Sequence, residues 1–264
     1  MHRFFIPPSS INSQKFASND KELCHQISKV LKIRSGQKIT LLDNAEHEYF
    51  AELTTVSKSL CEAIIIQKTY KPDISNQKPV HLYVPPLKNQ NRYELILEKC
   101  TEIGVASFTP LITERTEVFE LRKPERLHRI IREAAEQSGR TKLPVINPPV
   151  KFEELLMDKR NKTCLPAGRE QKNIIASLYG KNQTIRMILD PNNPSAKGGS
   201  TSGGNNPNNP NRPINLYLGP VGDFTADEIK QALEHNFYPV SLGSQILRTE
   251  TAAIVAASIC LTQT

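Results

Sequence analysis

The sequence predicts an α/β protein in two parts: a small β-rich domain over residues 1–72, then a larger domain over 73–264 built on a mainly parallel sheet. Three observations carry this. Between residues 37 and 70, three runs rich in β-branched and aromatic residues follow one another. From residue 79 onward, strand-like and helix-like segments take turns, as parallel βαβ connections require. The chain has 264 residues and is 38% hydrophobic, enough for one large domain or two ordinary ones.

In the first part, DKELCHQISKVLKI (20–33) reads as a helix, with Leu23, Ile27, Val30 and Leu31 on one face and Asn19 as its N-cap. QKITLLD (37–43) and YFAELTTVS (49–57) are strands around the turn DNAEHE (43–48), and CEAIIIQKTY (61–70) is a third strand. KPDISNQKP (71–79) has the composition of a linker.

In the second part, VHLYVP (80–85) is a strand and RYELILEKCTEIG (92–104) a helix closed by Gly104. ASFTPLIT (106–113) is a strand. KPERLHRIIREAAEQSGR (123–140) is a helix with Pro124 in its first turn and Gly139 near its end. LPVINPP, FEELLMD, NIIASLYG, INLYLGP, ADEIKQALEHN and YPVSLG continue the alternation. Two stretches interrupt it. Residues 158–173 show little apolar periodicity. Residues about 191–212 are Asn/Pro/Gly/Ser-rich, bury too little apolar surface to offset ordering, and read as a disordered insert at the sheet's edge.

Composition narrows the function. A net charge of +7 suits a polyanionic partner such as RNA. The five cysteines fall in no metal-binding spacing and their number is odd, which favours a reduced, cytoplasmic protein over a disulfide framework. No apolar run suits a signal peptide or a membrane span, so no membrane is expected. The six histidines show no paired ligand spacing, so no metal is expected. No Ser or Cys sits in a nucleophile elbow, which argues against covalent hydrolase chemistry.

Two stretches carry the candidate chemistry. In LYLGPVGDFTADE (216–228) a strand runs into Gly219, Pro220 and Gly222, and Thr225 with Glu228 forms a capping-box pattern before the next helix. A plain strand-to-helix turn and a ligand loop both fit. A nucleotide phosphate loop does not, because GxGxxG and the Lys-Ser/Thr of a Walker motif are missing. SLGSQILRTETAAIVAASIC (241–260) is a second strand end followed by a helix. Two such glycine loops would wall one crevice at the carboxyl ends of the strands. Glu250 suits the start of a helix, where the dipole favours an anion. Arg248 does not, so it needs a partner, either a carboxylate such as Glu250 or a ligand. Two further clusters are Lys99 with Glu102 and Arg115, and Glu133, Gln137 and Arg140 at roughly i, i+4, i+7 spacing. Taken singly, each reads first as a solvated helix face.

MHRFF, EKCTEIGV, EAAEQSGR, LYLGPVGDF and LGSQILRTETAA, in that order, resemble the RsmE family of SPOUT-superfamily methyltransferases. The resemblance spans the chain apart from the two interrupting stretches. It implies a PUA-like, RNA-binding β-barrel followed by a SPOUT-type mainly parallel sheet with a C-terminal trefoil knot, a rare exception to unknotted topology. It also implies a homodimer, S-adenosylmethionine as cofactor, and methylation of N3 of a uridine in small-subunit (16S) ribosomal RNA.

Carried onto this chain, the cofactor loops are Leu218, Gly219, Pro220 and Gly222, then Leu242, Gly243, Ile246, Leu247 and Arg248. Arg248 and Glu250 are the candidate catalytic pair, with Arg248 offsetting charge on the base. Glu250 either accepts a proton or, with Thr251, holds Arg248. Arg3, Lys99 and Arg140 are candidate RNA contacts. The chain departs from the family at one place. The usual loop is GPEGGF, and here it is Gly219-Pro220-Val221-Gly222-Asp223-Phe224. A carboxylate has moved from the third position to the fifth. Val221 offers no side-chain polar contact, and Asp223 is the group that could compensate. The departure leaves a second reading, a noncatalytic RNA-binding ribosome-assembly factor that retains the fold.

Overall fold

The structure is a computed structural model that describes residues 1–77, 79–157, 171–178, 183–190 and 212–262. Apart from residues 171–173 and 212, the stretches 158–173 and 191–212 lie outside the described residues. The chain forms two compact units: Met1–Asp73 with Arg132–Leu143, and Ile74–Ile131 with Pro144–Thr264. Residues 132–143, read from sequence as part of the second domain, thus group with the first.

The N-terminal unit contains β1 (Arg3–Phe5), β2 (Ile11–Asn12), β3 (Lys15–Ser18), α1 (Lys21–His25), β4 (Lys38–Leu42), β5 (His47–Val56) and β6 (Cys61–Tyr70). They form a six-stranded sheet in the order β1-β4-β5-β6-β3-β2. β1 pairs with β4 in parallel, and the other pairings are antiparallel. Phe4, Phe16, Ile27, Ile39, Leu41 and Leu53 fill the core beside the sheet. The helix predicted over 20–33 is shorter and differently capped. Asp20, not Asn19, is the N-cap, and its carboxylate accepts from the amides of Glu22 and Leu23. The α-helix stops at His25 and a π turn follows over Gln26–Val30. The wider turn rotates Val30 off the apolar face, and that residue is 62% exposed. Residues 71–79 are not a bare linker either. Asp73 is buried and accepts from Arg140 Nη2 at 2.9 Å and from the amides of Thr141 and Lys142.

The C-terminal unit begins with α2 (Ile74–Gln77), β7 (Val80–Val84), α3 (Gln90–Ile103) and β8 (Ser107–Ile112). α4 (Pro124–Ser138) follows; from Arg132 onward its residues group with the N-terminal unit. β9 (Val145–Ile146), β10 (Val150–Lys151), α5 (Phe152–Met157), β11 (Lys172–Ala176) and α6 (Ile185–Leu189) come next. β12 (Ile214–Leu218), α7 (Ala226–Glu234), β13 (Tyr238–Val240) and α8 (Thr249–Thr262) complete it. The sheet runs β10-β8-β7-β12-β11-β13, with β9 beside β8. Every pairing among the described residues is parallel, so the expected parallel α/β sheet is present. β7 and β12 are buried at all five positions, as strands covered on both faces must be.

Tyr83 and Tyr217 stack at 4.4 Å on one face, and Phe152, Phe224 and Phe237 join the same cluster. Gly104 ends α3 with φ +117°. A Cβ there would lie 2.7 Å from Ile74 Cγ2, so glycine serves both the left-handed turn and the close approach. α8 packs on α3, β7 and β12 through the buried Ala253, Ala256 and Ala257.

Candidate active site

Because β7, β12, β11 and β13 are parallel, their carboxyl ends share one edge, where open α/β sheets bind ligands. A cavity of about 750 Å³ lies there, in the range of small-molecule sites. Its walls are the segments that follow the four strands, together with the start of α8 and Arg115.

The loop after β12 is shaped by its own sequence. The amide of Asp223 donates to the carbonyl of Pro220 at 3.0 Å and closes a turn whose third residue, Gly222, has φ +94°. Glycine meets that requirement without strain. Phe224, fully buried, anchors the loop's far end in the aromatic cluster. α7 then starts with a complete capping box. Thr225 Oγ1 accepts from the Glu228 amide at 3.2 Å, and Glu228 Oε2 accepts from the Thr225 amide at 2.8 Å. The other oxygen of Glu228 accepts from the amide of Glu114 at 2.9 Å. Next to Glu114, the Arg115 guanidinium donates to the Gly222 carbonyl. The loop after β13 turns at Gly243 with φ +136°, where an added Cβ would meet none of the described residues within 4 Å.

The site residues expected from sequence divide cleanly. Leu218, Gly219, Pro220, Gly222, Leu242, Gly243, Ile246, Leu247, Arg248 and Glu250 all line the cavity. Arg3, Lys99 and Arg140 do not. Lys99 sits on α3 between Glu98 at 2.7 Å and Glu102 at 2.9 Å, and hydrogen bonds to these two carboxylates raise its pKa to about 12. Arg3, on β1, lies against Gly139, where an added Cβ would be 3.4 Å from its guanidinium carbon. Arg140 is buried, with its guanidinium on Asp73. An exposed RNA contact is therefore not what its surroundings offer. α4 ends at Ser138 and Gly139 turns the chain at φ +74°, so Arg140 leaves the helix face its spacing suggested.

The partner expected for Arg248 is also corrected. Glu250 is 8% exposed and pairs with Arg92 Nε at 3.5 Å, not with Arg248. Arg248 is exposed and makes no ion pair with any described residue. Its carbonyl accepts from the Ala252 amide at 2.8 Å, which fixes its backbone at the entrance of α8. Arg92, Lys88, Ser177 and Leu178 also line the cavity, and the sequence reading missed them. Arg92 opens a predicted helix and Lys88 lies in the loop before it, whereas Ser177 and Leu178 fall inside the run NIIASLYG, whose strand stops at Ala176. Among the described residues, no group of three or more His, Cys, Asp or Glu is placed to hold a metal, and no helix is long and apolar enough to cross a membrane. Cys24, Cys61, Cys100 and Cys260 are free thiols, all buried.

Comparison with known proteins adds the following. A family model described as an RNA methyltransferase domain matches residues 75–261, and one described as an RNA methyltransferase PUA domain matches residues 20–66. The ribosomal RNA small subunit methyltransferase E of Synechocystis sp. is 29% identical over 260 residues, covering 97% of this chain and 75% of that protein. The protein of the same name from Bacillus subtilis is 28% identical over 274 residues, covering 100% and 97%. Among solved structures, ribosomal RNA small subunit methyltransferase E from Neisseria gonorrhoeae bound to S-adenosyl methionine superposes with a TM-score of 0.78 at 28% identity, covering 99% of this chain and 97% of that one. A protein from Legionella pneumophila in complex with the bound cofactor SAM gives 0.73 at 27% identity, covering 98% and 96%.

Proposed function

The chain belongs to the RNA methyltransferase domain family, and from that premise we propose that it transfers the methyl group of S-adenosylmethionine to N3 of a uridine in 16S ribosomal RNA. The observation that carries this reading is the cavity at the carboxyl ends of four parallel strands, walled by two glycine loops and the start of α8. The cofactor bound to the Neisseria relative supports it.

The residues present suit that cofactor. The strand-end main chain offers donors and acceptors to the edge of an adenine, and the open space beside Gly243 lets a ligand approach the backbone. Leu218, Gly219, Pro220 and Gly222 would hold it from one side, and Leu242, Gly243, Ile246 and Leu247 from the other. When bound, S-adenosylmethionine supplies an activated methyl group.

The protein's own groups must deal with the base. Uridine N3 carries a proton and is a poor nucleophile until that proton leaves. The site must therefore accept it and offset negative charge spreading onto O2 and O4. Arg248 is exposed at the cavity and offers a planar guanidinium for that charge or for a phosphate. Glu250 is the candidate proton acceptor, held in place by Arg92. The base must be unpaired or flipped out to reach them. In the same reading, the N-terminal unit binds RNA and the C-terminal unit carries the trefoil knot. α8 presents half-buried Ile254, Val255 and Ile259 to a second copy, and the homodimer works in the cytoplasm.

Mass spectrometry of 16S ribosomal RNA from cells with and without the gene tests the target. Loss of 3-methyluridine is expected without the gene, and an unchanged signal rejects this site of modification. Calorimetry with S-adenosylmethionine separates the enzyme from a noncatalytic RNA-binding assembly factor, which would show no cofactor binding. Arg248→Ala is expected to slow transfer at least about 100-fold, the scale of one lost charge-stabilising donor, while fold and dimer persist. Full activity in that variant would remove Arg248 from the mechanism.

A further inference from the structure

The fifth residue of the first glycine loop is Asp223, in place of the glycine in the motif it resembles. It keeps a left-handed backbone, φ +64°, which aspartate tolerates better than most residues but not freely. Its carboxylate is fully engaged. Oδ2 accepts from Ser177 Oγ at 2.8 Å and from the amide of Leu178 at 2.7 Å, and Oδ1 accepts from the amide of Phe224 at 2.8 Å. Ser177 and Leu178 follow β11, whereas Asp223 follows β12, so one side chain ties together the loops that leave two adjacent strands. The fit is close on the inner side as well. A Cβ on Gly219 would lie 2.7 Å from Asp223 Oδ1, so glycine at 219 and aspartate at 223 belong to one arrangement. Both loops line the cavity.

We propose that Asp223 is a positioning residue for the cofactor, a clamp that sets the separation of the two loops before S-adenosylmethionine enters. The proposal rests on the cofactor reading above and adds a role that this chain's own substitution creates. A carboxylate accepting two amides and a hydroxyl makes charge-assisted hydrogen bonds, stronger than neutral ones. Loops fixed in advance lose less freedom on binding, so the clamp acts on affinity and not on the chemical step. Val221, 76% exposed on the same turn, has no polar group to share that work.

The test compares full-length wild type, Asp223→Gly and Asp223→Asn by calorimetry with S-adenosylmethionine, by steady-state kinetics and by amide exchange. Glycine accepts the left-handed backbone and removes the carboxylate, and Asp223→Asn controls for the backbone freedom that glycine adds. Asp223→Gly is expected to weaken cofactor binding and raise the cofactor KM about tenfold, one to two hydrogen bonds' worth, with kcat at saturation within about twofold. Asp223→Asn, which retains one carbonyl acceptor, should fall between. The Leu178 amide should exchange faster in Asp223→Gly than in wild type. Equal cofactor affinity in wild type and both variants overturns the clamp but leaves the cofactor reading standing. A loss confined to kcat overturns it too. A wild type that binds no S-adenosylmethionine overturns the cofactor reading, and the clamp with it. Should Asp223→Gly fail to fold, Asp223→Asn carries the same comparison.

Discussion

Arg140 and Asp73 meet at 2.9 Å with side-chain exposures of 5% and 1%. Such a buried pair adds little net stability over an apolar one, but removing one partner strands the other charge. Asp73→Ala also strips the acceptor from the amides of Thr141 and Lys142. Its expected cost is about 3–5 kcal/mol in urea denaturation of the N-terminal unit. A loss below about 1 kcal/mol would mean the pair is solvated in solution. The pair was not legible in the sequence, because the two residues lie on segments far apart in the chain and only the fold joins them. Glu250 shows the same limit, since local spacing offers Arg248 as its partner and the fold supplies Arg92. The two glycine loops that wall the cavity were legible for the opposite reason. Each follows a strand end, and parallel strands put such ends together, while the resemblance alone singled out the residues from Leu218 to Gly222 and from Leu242 to Arg248.

Helix α7 shows what the sequence specifies well at the scale of an element. Its start is set by Thr225 and Glu228, three residues apart, and both halves of the capping box form. Thr225→Ala is expected to cost about 1 kcal/mol, as a lost N-cap does. Glu228→Ala should cost more, since the same carboxylate also takes the Glu114 amide that precedes the cavity residue Arg115. Denaturant midpoints of the two variants check that order, and a reversed order would deny Glu228 its second role. The long buried strands and α3 carry enough periodicity to be read directly. β1, β2, β3 and α6 do not. They span two to five residues and exist because neighbours complete them, β1 by pairing with β4 and β3 by pairing with β6. The early end of α1 was equally hidden, because nothing in residues 20–33 announces a π turn. From that turn, Ser28 Oγ donates back to the Cys24 carbonyl of α1 at 2.6 Å.

Across the whole molecule the net charge of +7 predicts RNA binding that weakens with salt, but stability answers to pH unit by unit. In the N-terminal unit, burial pushes the Glu136 carboxyl up to about 7 from an ordinary 4.5, although its Oε1 accepts the Phe5 amide at 2.9 Å. Between these values the unfolded chain has released the proton and the folded unit keeps it. Stability of that unit therefore falls as pH rises from about 4.5, and the loss is complete above about 7. In the C-terminal unit, burial lowers the pKa of His81 to about 4 from 6.5. Between these values the unfolded chain takes up a proton that the folded unit refuses, so this unit weakens as pH falls from about 6.5 towards 4. The two contributions have opposite signs within one chain, and a single melting temperature would conflate them. Site-resolved hydrogen exchange at pH 5 and pH 8 separates them. Glu136→Gln keeps an acceptor for the Phe5 amide and cannot ionise. It is expected to stabilise the N-terminal unit at pH 8 and to change it little at pH 5. The His81 ring proton signals should stay put from pH 8 to pH 5, and a titration near 6.5 would show that the buried imidazole reaches water.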